Sequence, residues 1–269
     1  MAILALHSAA TGMTALSTKL DVTANNLANV NTDGFKGSRA NFQDLLYIEK
    51  AQPGVENANG DQRPIGTYVG LGVKVSGTQL DFRQGPVIPT GRELDVTIEG
   101  NGFFQIQVGA DEAPNGIAYT RAGNFTQNED GELALATDSG RRLEPAITIP
   151  ADATGISISI DGRVSVLQPG ATAPSEVGQI QLAAFANPGG LKQVGENLFV
   201  ETVATGPAIT GEPAQQQFGV TRSGMLEGSN VDPTMELISL IRTQRAFEMN
   251  SQSIRTADEV LQQVAQLRR

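Results

Sequence analysis

Asn25-Asn26-Leu27-Ala28-Asn29-Val30-Asn31-Thr32-Asp33-Gly34-Phe35-Lys36 is the stretch at which one regular pattern ends and another begins. Up to Leu27 apolar residues return at helical spacing, and beyond Lys36 they do not. The asparagines can hydrogen-bond the backbone groups that a helix end leaves open, and Asp33-Gly34 can supply a left-handed turn. Phe35 is then the first residue anchored after the helix.

Upstream, Leu6, Met13, Leu20 and Leu27 are spaced by sevens, and Ile3, Ala10 and Ala24 form a second row broken by Ser17. The spacing predicts a narrow stripe along one helix of roughly 40 Å. Gly12 is its weak point. The C-terminal end repeats the design. Asn230 or Asp232 can cap a helix that has Pro233 in its first turn. Leu240, Phe247, Ile254 and Leu261 follow at intervals of seven. Ala257 and Val264 form a second row that also takes Thr243 and Asn250, polar residues that weaken a seam but can fix its register.

Between the ends the period changes to two. Ile156, Ile158 and Ile160 alternate with serines, Asp161-Gly162 follows, and Val164 and Val166 resume the alternation, which is a strong hairpin signal. Leu94, Val96 and Ile98 read as a strand, as do Phe104, Ile106 and Val108 after Asn101-Gly102. Asp130-Gly131 and Pro188-Gly189-Gly190 mark turns. Residues 32–82 fit neither period. With Pro53-Gly54, Asn59-Gly60 and several further glycines they read as an extended connector with a hairpin or long loop inside, too long to be a simple loop. The expected class is a mainly β central domain with long N- and C-terminal α-helices pairing as a coiled coil, joined by the connector. The expected divisions are 1–31, 32–82, 83–229 and 230–269. Terminal helices with so thin a seam are marginal alone, so the ends are expected to order when copies associate.

Composition narrows the function classes. Of 269 residues 39% are hydrophobic and 18% charged, with 30 Gly, 13 Pro and no Trp, which favours many turns and short strands over one thick core. A net charge of −10 argues against nucleic-acid binding and against an anionic membrane surface. No run of 18 apolar residues is present, so no lipid insertion is expected. Met1–Leu6 lacks a preceding positive charge, and no cleaved secretory signal is expected. The chain has no Cys and one histidine, His7, which cannot supply a metal cluster. Gly-x-Ser-x-Gly and phosphate-loop motifs are absent, and Gly100-Asn101-Gly102 fails as a dinucleotide fingerprint because Gln105 stands at its third glycine. The pairs Asp111-Glu112 and Glu129-Asp130 lie in turn-like segments. The expectation is no enzyme, with no catalytic residue, metal or cofactor.

The residues 25–36 resemble the segment that closes the N-terminal helix in the flagellar rod, hook and hook-associated axial proteins. Asn25, Asn26, Leu27, Ala28, Asn29, Gly34, Phe35 and Lys36 carry the match. Similar stretches run the length of the chain: Leu94–Phe104, Tyr119-Thr120-Arg121-Ala122-Gly123-Asn124-Phe125, Gly224–Val231, and Met235–Asn250, where Phe247 replaces a usual tyrosine. Phe42–Tyr47, Gln52-Pro53-Gly54, Pro145–Pro150, Gly178–Leu182 and Gly195-Glu196-Asn197-Leu198-Phe199 are similar to the distal-rod branch.

The resemblance implies a structural subunit of the distal rod. It would be exported unfolded by the flagellar type III apparatus and polymerise helically with itself into a drive shaft crossing the periplasm. The two ends would form an inner tube, with Leu6, Met13, Leu20 and Leu27 meeting Leu240, Phe247, Ile254 and Leu261 within and between subunits. Implied partners are other rod and hook subunits, the export apparatus, a rod-capping protein and the bushing rings. The alternatives are a proximal-rod or hook-type subunit, or, in another class, a secreted β-domain adhesin.

Overall fold

The computed structural model describes residues 2–55, 62–113, 115–170, 173–215 and 217–267. Asn59-Gly60 and the side chains of Ile3 and Val264 lie outside the described residues. The chain divides into two compact units.

The first unit comprises Met1–Ala28, Ser38–Gln79 and Asp232–Arg269. It holds helix α1 (Ala2–Ala28) and helix α2 (Pro233–Leu267). Of the two expected caps Asp232 acts: its Oδ1 accepts from the amides of Thr234 at 2.8 Å and Met235 at 3.2 Å, with Pro233 opening the helix. The helices pack together antiparallel. Asn26 Nδ2 donates to Glu236 Oε1 at 3.1 Å, and a Cβ on Gly12 would stand 3.1 Å from Asn250 Nδ2. Both contacts belong to one register, so the glycine makes room for the polar Asn250. Thr243, buried, satisfies its hydroxyl on Ser239 O within its own helix.

Leu6, Met13, Leu20 and Leu27 are half-buried, as are Leu240, Phe247 and Ile254. Leu261 is 38% exposed, near the end of α2. The second expected row of α1 departs from the stripe: Ala10, Ser17 and Ala24 are exposed. The positions that stay buried on α1 include Ala15 and Asn26, eleven residues and three full turns apart.

The expected connector contains a two-stranded ribbon in this unit. Strand β1 (Ser38–Asp44) pairs with β4 (Val73–Leu80), and β2 (Tyr47–Ala51) with β3 (Thr67–Gly70). The bonds Leu45 N to Gly72 O and Leu71 N to Leu46 O join the two pairs. Its bend rests on α1. Gly72 has φ +113, and a Cβ there would be 2.1 Å from Thr11 Oγ1, so only glycine fits. His7 Nδ1 reaches Leu71 O at 2.9 Å.

The second unit, Asn29–Gly37 with Leu80–Val231, is mainly β. Its largest sheet runs Lys192–Gly195, Leu198–Val200, Ile117–Thr120, Phe103–Gln107, Leu182–Ala184, Ile209–Gly211, with Leu143–Glu144 also on Phe103–Gln107. Adjacent residues Phe103 and Phe104 face opposite sides, as a pleat requires. Phe104 joins a core with Val96, Ile98, Phe125 and Leu182, and Phe103 an aromatic cluster with Tyr119, Phe185 and Phe199. The expected hairpin forms between Gly155–Ile158 and Arg163–Leu167, with Ile158 opposite Val164. Its ladder ends there, and Ser159–Gly162 makes a four-residue loop, with Gly162 at φ +80. Ile160 therefore sits at the loop tip, 63% exposed, instead of extending the strand.

Fully buried apolar side chains belong almost entirely to the second unit. Among the described residues Ala15 alone represents the first. A buried Leu, Ile or Phe contributes about 1.5–3 kcal/mol, and the first unit collects almost none of that within one chain.

Candidate assembly site

Residues 25–28 lie in the first unit, at the end of α1. Asn26, 2% exposed, binds Ser38 as a neighbouring strand would: its Oδ1 accepts from Ser38 N at 3.0 Å and its Nδ2 donates to Ser38 O at 2.7 Å. The same Nδ2 holds Glu236, so one amide fastens the end of α1, the start of β1 and the first turn of α2. Leu27 is half-buried, and Asn25 and Ala28 are exposed.

The second unit holds the rest of the segment. Thr32 N donates to Asn29 O and Phe35 N to Thr32 O, so the chain makes two successive turns, the second with Gly34 inside it. Gly34 has φ +70, and a Cβ on it would lie 2.4 Å from Ala122 N. Its amide donates to Glu227 O at 2.7 Å. Phe35 and Lys36 are buried.

Lys36 ends in a closed ionic cluster. Its Nζ stands 2.6 Å from Glu227 Oε1 and donates to Arg83 O at 2.8 Å. Glu227 also accepts from Gly85 N at 2.8 Å and pairs with Arg121 Nη1 at 3.3 Å. The guanidinium donates to Ile98 O and Gly100 O and lies 5.4 Å over the Phe103 ring. Two cations thus share one carboxylate out of solvent. Burial pulls the Lys36 ammonium below its ordinary pKa, with Glu227 opposing that shift, and burial lowers Arg121 in the same way. Asn230, free of capping duty, bridges backbone: its Oδ1 accepts from Gly37 N at 2.8 Å and its Nδ2 donates to Asp81 O at 2.7 Å.

Sequence reading named Lys36 as a site residue and placed Arg121 and Glu227 only within resembling stretches, without linking the three. Their signal is weak yet physical: each is a charged residue set among apolar and glycine neighbours, in Thr-Arg-Ala-Gly and Leu-Glu-Gly. The three stretches meet in space. Among the described residues no group of three or more His, Cys, Asp or Glu could hold a metal ion, and no helix is long and apolar enough to cross a membrane.

The first unit also presents apolar side chains to solvent. Met235, Leu237, Ile238, Ile241, Met249 and Val260 on α2 are 38–64% exposed, and Leu46, Tyr47, Ile65 and Tyr68 of the ribbon region 52–81%. Such a surface suits association better than solvation.

Three family models match the chain: "Flagella basal body rod protein" over residues 6–36, "Flagellar hook protein FlgE/F/G D1 domain" over 97–166, and "Flagellar basal body rod FlgEFG protein C-terminal" over 222–267. The chain is 45% identical over 265 residues to the flagellar basal-body rod protein FlgG of Caulobacter vibrioides, covering 98% of this chain and 99% of that one. It is 46% identical over 257 residues to FlgG of Agrobacterium fabrum, covering 95% and 96%. To the rod protein FlgF of Caulobacter vibrioides it is 34% identical over 241 residues, covering 87% and 84%.

Proposed function

This chain belongs to the flagellar basal-body rod protein family, and from that premise we propose that it is a structural subunit of the rod, of the distal type. The observation that carries the reading is the exposed apolar surface of a unit that has almost no core of its own. Copies that lay these faces against one another gain what one chain lacks. A contact between unlike faces that does not close repeats into a filament. The higher identity to FlgG than to FlgF favours the distal type over a proximal or hook-type subunit. The adhesin alternative finds no support in these relatives.

In this reading the division of labour follows residues 1–31 and 230–269 as an inner tube. Leu6, Met13, Leu20 and Leu27 work with Leu240, Phe247, Ile254 and Leu261 as coiled-coil knobs within and between subunits. Residues 32–82 stiffen the tube, and 83–229 form the outer domain. The subunit spans the periplasm in the rod, and meets the export apparatus, rod and hook neighbours, the cap and the bushing rings. It carries no catalytic site. Peptide mass spectrometry with antibody labelling on purified hook–basal bodies tests this. Label on the rod next to the hook is expected, label near the inner membrane would make the subunit proximal, and absence would end the rod reading.

A further inference from the structure

The stretch Gly195-Glu196-Asn197-Leu198-Phe199 has no part in the helix surfaces or the ionic cluster, yet its geometry is unusual. Glu196 and Asn197 both have positive φ, 51° and 56°, in the turn between Lys192–Gly195 and Leu198–Val200. Two left-handed residues at a hairpin turn match the twist of the flanking strands, and Asn tolerates that conformation better than most residues. Conformation alone would thus account for an asparagine, or equally for a glycine.

The side chains do more. Glu196 Oε2 accepts from Ser139 Oγ at 2.7 Å and Arg141 Nε at 3.0 Å, which pins the turn from one side. Thr120 Oγ1 donates to Asn197 O at 2.9 Å and accepts from Ala122 N at 3.1 Å, which pins it from the other. From this fixed platform Asn197 Nδ2 donates to Asp33 O at 3.0 Å. Asp33 precedes Gly34, whose amide is held by Glu227 O, and Phe35 O accepts from Asn230 N at 3.4 Å. Two distant segments, the turn at Asn197 and the stretch 227–230, therefore grip three consecutive residues, and Asn197 does so through its side chain.

We propose that Asn197 is a positioning residue for assembly, its side-chain amide latching the turn at Asp33-Gly34 in one fixed conformation. This rests on the rod-subunit reading. A turn held in one path before copies meet does not have to be ordered on contact, and the association is favoured by the entropy already lost.

The test compares the full chain with Asn197→Gly and Asn197→Asp. Glycine keeps the left-handed turn and removes the latch, whereas aspartate keeps the shape and removes the N–H. Amide hydrogen exchange at Gly34 and Phe35 reads the latch, and incorporation into basal bodies reads assembly. Both variants are expected to hold the wild-type melting temperature closely. They should exchange at Gly34 and Phe35 about fivefold faster, the population change that one hydrogen bond's net worth corresponds to, and incorporate poorly. Unchanged exchange in Asn197→Gly would overturn the latch. Faster exchange with normal incorporation would overturn its role in assembly and leave the rod reading intact. Failure of the wild-type chain to enter the rod would instead remove the reading on which the proposal stands.

Discussion

Lys36 and Glu227, 191 residues apart in sequence, meet at 2.6 Å with neither side chain exposed. The carboxylate answers two cations, and this makes the members of the cluster unequal. Glu227→Gln leaves Lys36 and Arg121 buried without their anion, and breaking a buried pair in this way costs about 3–5 kcal/mol. Lys36→Met leaves Glu227 with Arg121 and the Gly85 amide, so the loss should be nearer about 1–3 kcal/mol. Urea unfolding of the two variants orders them, and equal losses would mean that Glu227 does not serve both cations.

Gly34 and Gly91 separate strain from collision. Both have positive φ, +70 and +73, but nothing lies within 4 Å of a Cβ on Gly91, whereas one on Gly34 meets Ala122 N at 2.4 Å. Gly91→Ala should cost only the left-handed penalty of about 1–2 kcal/mol. Gly34→Ala must also displace backbone and should cost clearly more. Thermal unfolding of both, side by side, checks the difference.

Much of the fold was legible because it follows from period. The heptad ends announce α1 and α2, the alternation around Asp161-Gly162 announces its hairpin, and Pro233 beside two capping candidates announces the start of α2. The ribbon inside residues 32–82 was legible only as a hairpin or long loop without strand bounds, and its strands explain why. Tyr47–Ala51 is exposed at nearly every position on both faces, so no alternation between buried and exposed residues is written into it. The ionic cluster was hidden for another reason. Lys36, Arg121 and Glu227 sit in three separate stretches, and no local pattern links residues that only the sheet brings together. Of the two seven-residue rows on α1, Leu6, Met13, Leu20 and Leu27 are half-buried, whereas Ala10 and Ala24 of the second row are exposed.

Asp33 should leave a mark on the pH dependence of stability. Burial, and then the nearby charge of Asp95, hold its carboxyl above the ordinary 3.8. Below that value both folded and unfolded chains carry the proton, and Asp33 contributes nothing. As pH rises through the interval up to the raised folded value, the unfolded chain releases its proton first, so stability falls and stays lower at neutral pH. Asp33→Asn removes the titration. The expected result is a stability gap in the variant's favour that is present at about pH 7 and closes by about pH 3, on top of any constant offset from the new Asn-Gly turn. A gap independent of pH, measured by urea unfolding across that range, would exclude a strained carboxyl at this position.

Leu20 separates folding from assembly. It is half-buried on α1, in a unit where Ala15 is the one fully buried apolar residue described, while the β unit keeps its own core around Phe104, Phe125 and Leu182. A carboxylate on the helix stripe must either stay solvated or pay a desolvation cost of several kcal/mol when copies pack. Leu20→Asp should therefore leave the amide spectrum and protease resistance of residues 83–226 unchanged while rods no longer incorporate the subunit and cells lose motility. Normal rods from this variant would show that the N-terminal stripe is not an assembly surface. Loss of the β unit's resistance would show instead that the helices stabilise that unit within a single chain.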